Sequence, residues 1–153
     1  MTTYQETKGV AGSTKEDVKV RYTAKTHSVG GRRGGVSHSD DGRLDVKFSA
    51  PGVPGTGTNP EQLFAAGWSA CFISAMGLVA NRMKVKLPAE AAVDAEIDLC
   101  SSGDLYFLRA RLNVSLPGLE REVAQAIVDA THRETCAYSN ATRGNIGVTV
   151  NVA

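Results

Sequence analysis

Cysteine is scarce in this chain, three in 153 residues, and an odd number cannot all pair within one chain. None stands in a C-x-x-C or C-x-x-H spacing, which excludes a zinc ribbon or finger as the framework. A domain of this length buries about two-thirds of its unfolded surface and needs no covalent staple, so each cysteine requires its own explanation. A reducing, cytoplasmic setting fits this usage best. Charge of one sign is also missing: 17 Lys and Arg face 16 Asp and Glu, a net +1 that creates no field to gather nucleic acid or an anionic membrane surface. The opening MTTYQETKGVAGSTKEDVKV has no basic start followed by an apolar run, so it does not read as a secretory signal, and it is too acidic and Arg-poor for a transit peptide. Its Gly, Ser and Thr content predicts that about residues 1–15 are loosely held at the edge of a single domain spanning 1–153.

What the chain does have is one long uncharged run, Leu63 to Ala80, 18 residues that reach the length of a membrane helix. Nine of them are Ala, Gly or Ser, which lowers hydropathy and suits close packing, and soluble-type alternating segments surround the run. A helix apolar on every side without a membrane is one enclosed by protein. Its start is well marked: Asn59 as cap, Pro60 in the first turn, and Gln62 placed as a capping-box partner. Arg82, Lys84 and Lys86 complement its C-terminal end before Pro88.

Period-two alternation predicts strands around it. Val18, Val20, Tyr22 and Ala24 form one such run, and Leu44, Val46 and Phe48 another after the turn Asp40-Asp41-Gly42. The Gly- and Pro-rich segment from Ala50 to Asn59 reads as a loop into the helix. Val93 to Leu99 and Tyr106 to Leu116 alternate on either side of Ser101-Ser102-Gly103-Asp104, the clearest hairpin in the chain. A second helix is predicted from about Leu119 to Glu134, Thr142-Arg143-Gly144-Asn145 as a turn, and Ile146 to Val152 as a last strand. The order of strands, helix, strands, helix and strand is that of an α+β domain. One small sheet covers a helix that is apolar all round only poorly, which points to a second chain as further cover.

The chemistry rests on few residues. Cys71 in mid-helix and Cys136 near the end of the second helix both have an ordinary reading as inert core thiols. They stand 65 positions apart, and spacing alone does not show whether they meet. A thiolate inside so apolar a helix needs a cation, because burial by itself raises a thiol pKa. Arg32 and Arg33 of the GGRRGG loop are candidate suppliers, and Glu61 in the first helical turn could hold an arginine in a bidentate pair.

Three segments, SVGGRRGGVSHSDDGRLDVKFSAPG, GTGTNPEQLFAAGWSACF and HRETCAYSNATRGNIGVTV, occur in order and together resemble the organic hydroperoxide resistance proteins, the Ohr branch of the OsmC/Ohr family of thiol peroxidases. The resemblance runs from about Val20 to the C terminus. It implies an intertwined homodimer in which antiparallel sheets wrap buried central helices. Cys71 then matches the peroxidatic cysteine, Cys136 the resolving one, Arg32 the catalytic arginine and Glu61 its glutamate partner. Implied with them are reduction of alkyl or fatty-acid hydroperoxides, a Cys71–Cys136 disulfide, and an external dithiol, dihydrolipoamide on a lipoylated protein, as reductant, with no bound cofactor. Phe64 and Phe72 would contribute to an apolar substrate vestibule, although core packing is the ordinary role of such aromatics. The chain departs from the family pattern at Arg33, where an acidic residue is common, at Ala137, where proline is common, and at Gly147, where aspartate is common.

The remaining reactive residues read more plainly. Cys100 ends a strand and has no place in the proposed chemistry; His27 and His38 lie in or near the first loop and read as solvated. Tyr138 could serve Cys136 or pack at the helix end. His132 and Cys136, spaced i and i+4, would make two metal ligands without an evident third, and GGRRGG lacks the order of a phosphate cradle. Two other classes of function remain open at this level: a non-catalytic redox sensor or apolar-ligand binder on the same fold, and a small metal-binding protein built on His132 and Cys136.

Overall fold

The computed structural model describes residues 18–153; the segment expected to be loosely held, about 1–15, lies outside the described residues. The long apolar run forms helix α1, Pro60–Arg82. Its N terminus is capped as the sequence predicts, with Asn59 Oδ1 accepting the Gln62 amide at 2.8 Å and Pro60 in the first turn. The side chain of Gln62 does not close a capping box; its Oε1 accepts the Thr58 hydroxyl at 2.8 Å instead, because Thr58 lies one helical turn away. The helix stops at Arg82, and Lys84 turns the chain out in the left-handed region at φ 57°.

Six side chains of α1 are buried: Trp68, Phe72, Ala75, Met76, Val79 and Ala80. By length and apolarity alone α1 could cross a membrane, but this face is packed inside the protein. It lies on a second sheet of β4 (Ala92–Ser102), β5 (Leu105–Ser115) and β6 (Gly147–Val152), in the order β4-β5-β6. The β4–β5 hairpin is that predicted, with Gly103 at φ 57° in its two-residue turn. β6 pairs with β5 in parallel rather than antiparallel fashion, because the chain crosses over through the intervening helices before returning to the sheet. Leu112, Val114, Ile127 and Val128 close the core from the sheet and from helix α2, Arg121–Ala130.

The first sheet is an antiparallel meander of β1 (Thr26–Val29), β2 (Val36–Ser39) and β3 (Asp45–Lys47). The strand predicted over Val18 to Ala24 does not form: Val20 and Tyr22 are each 77% exposed, and among the described residues no strand pairs with them. His27 and His38, read as loop residues, face each other across β1 and β2 with rings 5.4 Å apart, both exposed. The second helix is shorter than predicted. It ends at Ala130 and passes into a π-turn, Thr131–Thr135, followed by an unpredicted short helix α3, Ala137–Thr142. The Thr131 hydroxyl donates back to the Ile127 carbonyl at 2.7 Å, and the Cys136 amide reaches the Thr131 carbonyl at 2.9 Å, so the local ladder widens by one residue. The uncovered side of α1 carries Ala66, Ala70, Ser74 and Leu78, four residues apart and exposed, with Leu78 62% exposed.

Candidate active site

The fold brings the two cysteines together. Cys71, half-buried at the middle of α1, and Cys136, fully buried at the joint between the π-turn and α3, have their sulfurs 3.6 Å apart, with Cys136 as donor. Burial pushes the Cys136 thiol up from its ordinary pKa, the Ser139 amide and hydroxyl oppose this, and the neighbouring Cys71 sulfur adds to the rise. Cys136 therefore keeps its proton at neutral pH and offers it to Cys71. The more accessible sulfur is the acceptor, which is the asymmetry a nucleophile and its resolving partner require.

Behind this pair stands a polar network that the sequence did not disclose. Trp68 Nε1 donates to Ser139 Oγ at 3.2 Å, and the same oxygen is 3.0 Å from His132 Nδ1. Trp68 and Ser139 are both without exposed surface. The available signal was the chain's only tryptophan: a buried indole N–H needs an acceptor, and Ser139 three residues after Cys136 supplies it. Burial holds the His132 imidazole below its usual pKa, assisted by the Arg143 and Arg133 charges and opposed by Asp129. Its Nδ1 is engaged with Ser139, and among the described residues no group of three or more His, Cys, Asp or Glu side chains is arranged to hold a metal ion.

The predicted arginine and glutamate also meet. Arg32 donates to both Glu61 carboxylate oxygens, at 2.7 and 3.2 Å. This hydrogen bonding holds the Glu61 carboxyl below the ordinary range, against a smaller opposing effect of burial, and raises the Arg32 guanidinium. The loop is built for that contact. Gly31 and Gly34, either side of the two arginines, take left-handed φ of 65° and 82°. The Gly34 amide binds the Phe48 carbonyl, the Ser49 amide binds the Thr58 carbonyl, and Asn59 caps α1, so the arginine loop is fastened to the helix end that carries Glu61.

Within one chain these two pairs stand apart. Glu61 and Cys71 are ten residues apart on one helix, about 15 Å of rise, and both terminal nitrogens of Arg32 are directed at Glu61. Phe72 is fully buried in the core, with its ring 6.5 Å from that of His132. Phe64 is half-buried, edge-on to Trp68 at 5.6 Å and 6.0 Å from Tyr138. Tyr138 packs its ring and hydroxyl over Gly67, where a Cβ would come within 2.7 Å of the hydroxyl oxygen. Cys100 lies on β4 and accepts the Arg109 Nε–H at 3.4 Å.

Comparison with known proteins places the chain and its fold. A family model described as OsmC-like protein matches residues 53–151. The chain is 45% identical over 139 residues to the organic hydroperoxide resistance protein of Xanthomonas axonopodis pv. citri, covering 88% of this chain and 96% of that one. It is 42% identical over 130 residues to the organic hydroperoxide resistance protein OhrB of Bacillus subtilis, covering 83% and 94%. Among solved structures, an organic hydroperoxide resistance protein from Legionella pneumophila superposes with a TM-score of 0.82 at 39% identity, covering 88% of this chain and 99% of the other. The crystal structure of Bacillus subtilis OhrB gives 0.77 at 39% identity, covering 86% and 98%. By the extent of these matches, the chain belongs to the OsmC-like family and, within it, to the organic hydroperoxide resistance proteins.

Proposed function

We propose that this protein is a thiol peroxidase that reduces organic hydroperoxides to alcohols. The reading is carried by the two sulfurs at 3.6 Å, the half-buried one accepting and the buried one protonated, in a chain whose relatives are named for hydroperoxide resistance. The Cys71 thiolate attacks the terminal oxygen of ROOH; an S–O bond forms, the O–O bond breaks, and the departing RO⁻ takes a proton to become ROH. Cys136 then attacks the resulting Cys71 sulfenic acid, the S–S bond forms, and the hydroxide leaves with the Cys136 proton as water. An external dithiol, dihydrolipoamide on a lipoylated protein, returns two electrons and two protons. The cycle belongs to a reducing cytoplasm, where such a disulfide is transient.

The catalytic unit in this proposal is a homodimer. The exposed stripe Ala66, Ala70, Ser74 and Leu78 leaves α1 half-covered, and small residues allow a close approach of a second helix. A two-fold axis runs the second α1 in the opposite sense, carrying the Arg32 and Glu61 end of one copy toward Cys71 of the other. Arg32 then stabilises the thiolate and Glu61 fixes the guanidinium.

The test is a mass-spectrometric map of the reduced protein after one equivalent of cumene hydroperoxide, with turnover followed in the presence of dihydrolipoamide. A Cys71–Cys136 disulfide, and loss of turnover in Cys71→Ser, are expected. Normal turnover in Cys71→Ser would sink the assignment, and stoichiometric oxidation without turnover would mark a sensor instead of an enzyme.

A further inference from the structure

The arginine loop holds two guanidinium groups with different fates. Arg32 is neutralised by its bidentate pair with Glu61, whereas Arg33, the next residue, makes no hydrogen bond or ion pair among the described residues. Both line one cleft of about 400 Å³ between this loop and the tip of the β4–β5 hairpin. The other walls are Ala50, Pro51, Leu99 and Tyr106, of which Tyr106 is 70% exposed. A second cleft, of about 320 Å³, shares Pro51 and Leu99 and continues between α1 and β4, with Ala65, Ala95 and Ile97 on its apolar side and Asn59, Glu61 and Gln62 of the helix start on its polar side. The two together form a track with the unpaired Arg33 at its outer end and an apolar wall of Pro51, Leu99, Ile97 and Ala95 leading inward along β4, opposite a helix start whose Glu61 charge is taken up by Arg32. Apolar surface of this kind set beside a free guanidinium is complementary to an amphiphilic anion.

We propose that this track binds the free carboxylate end of a long-chain hydroperoxide, with Arg33 as the carboxylate partner and Leu99, Pro51 and Ile97 against the acyl chain. The ligand class is the unesterified fatty-acid hydroperoxide. A planar guanidinium pairs two N–H donors with two carboxylate oxygens, a match that a neutral alkyl hydroperoxide or a fatty ester cannot make. Because the hydroperoxide sits along the chain, away from the carboxylate, one substrate can engage Arg33 and a distant sulfur together. The inference rests on the peroxidase reading for the reacting end only; the carboxylate subsite stands or falls on binding.

Binding is measured by calorimetry with linoleate and with methyl linoleate, which carry no peroxide, on the intact reduced protein and on Arg33→Gln and Arg33→Lys. In the parent protein linoleate should bind about tenfold more tightly than its ester, the scale of one charge-assisted hydrogen bond, with the preference shrinking as salt rises. Arg33→Gln should abolish the preference and Arg33→Lys retain part of it. The ratio of kcat/KM for the hydroperoxides of the same acid and ester should follow the same pattern. Equal binding of acid and ester by the parent, or an undiminished preference in Arg33→Gln, would overturn the proposal. An acid preference in binding without any peroxide turnover would keep the subsite and remove the peroxidase reading; cumene hydroperoxide turnover without an acid preference would do the reverse.

Discussion

Removing the Ser139 hydroxyl should weaken the protein by an amount the structure allows to be worked out. Ser139 Oγ is the acceptor for the buried Trp68 indole N–H at 3.2 Å and lies 3.0 Å from His132 Nδ1. The indole can only donate, so the Ser139 oxygen is its acceptor and the Ser139 proton is shared between the imidazole and the Cys136 sulfur. In Ser139→Ala the imidazole, half-buried, can turn to water, but the indole N–H has no exposed surface and loses its partner. An unsatisfied buried donor costs about 1–3 kcal/mol. For a chain of this length each kcal/mol moves Tm by about 2–4 °C, so a fall of about 6 °C is expected, within a range of roughly 2 to 12 °C. Thermal unfolding followed by circular dichroism under reducing conditions measures it. A cycle with Trp68→Phe, which removes the donor, isolates the pair: once either partner is gone, losing the other should cost about 1 kcal/mol less. A Tm for Ser139→Ala within about 1 °C of the parent, or strictly additive losses in the cycle, would refute the reasoning.

Three other outcomes follow from the same geometry. The raised Cys136 pKa means that the folded state holds its thiol proton where the unfolded chain, with an ordinary value near about 8.5, releases it; stability should therefore decline as pH rises above that value, and Cys136→Ser should flatten the decline in reduced protein. Phe72→Ala opens a fully enclosed site and should cost about 3–5 kcal/mol, whereas Phe64→Ala, at a half-buried ring, should cost clearly less in denaturant titrations; equal losses would contradict the assignment of Phe72 alone to the core. Leu78→Glu places a charge on the uncovered face of α1 and should convert a dimer to a monomer by light scattering, with the helical circular dichroism retained; an unchanged mass would move the interface elsewhere.

Local signals located most of the architecture. Asn59 and Pro60 marked the start of α1, Gly103 marked the hairpin turn, and the alternation of Val148, Val150 and Val152 marked β6. Features that depend on tertiary context were not legible. The alternation of Val18, Val20 and Tyr22 is a genuine strand pattern, but a strand needs a partner edge, and the described residues pair none with it. The end of α2 was lost because Thr131 to Thr135 keep helix-like composition while their hydrogen bonds lengthen to the π pattern. The residues themselves point to Glu61 as anchor for Arg32 or Arg33, the family resemblance implies Arg32 and the Cys71–Cys136 pair, and the structure brings both pairs into contact. Arg33 stands out in the sequence as a departure from the family pattern, whereas the cleft it lines is visible only in the structure.

The two cysteines are held in different ways, and the difference bears on how a disulfide could form. To bond, sulfurs 3.6 Å apart must close to about 2.05 Å. Cys71 sits in mid-helix, where moving its backbone would break the ladder of α1 on both sides. Cys136 is at a joint: its amide closes the π-turn on Thr131, its carbonyl accepts the Asn140 amide to begin α3, and its own backbone is extended, at φ −74° and ψ 119°. The Trp68–Ser139 bond fastens α3 to α1 and so ties the segment that begins at Cys136 to the helix that carries Cys71. The wide turn and the short helix, the two elements least visible in the sequence, thus set a thiol at a backbone joint against one fixed in mid-helix.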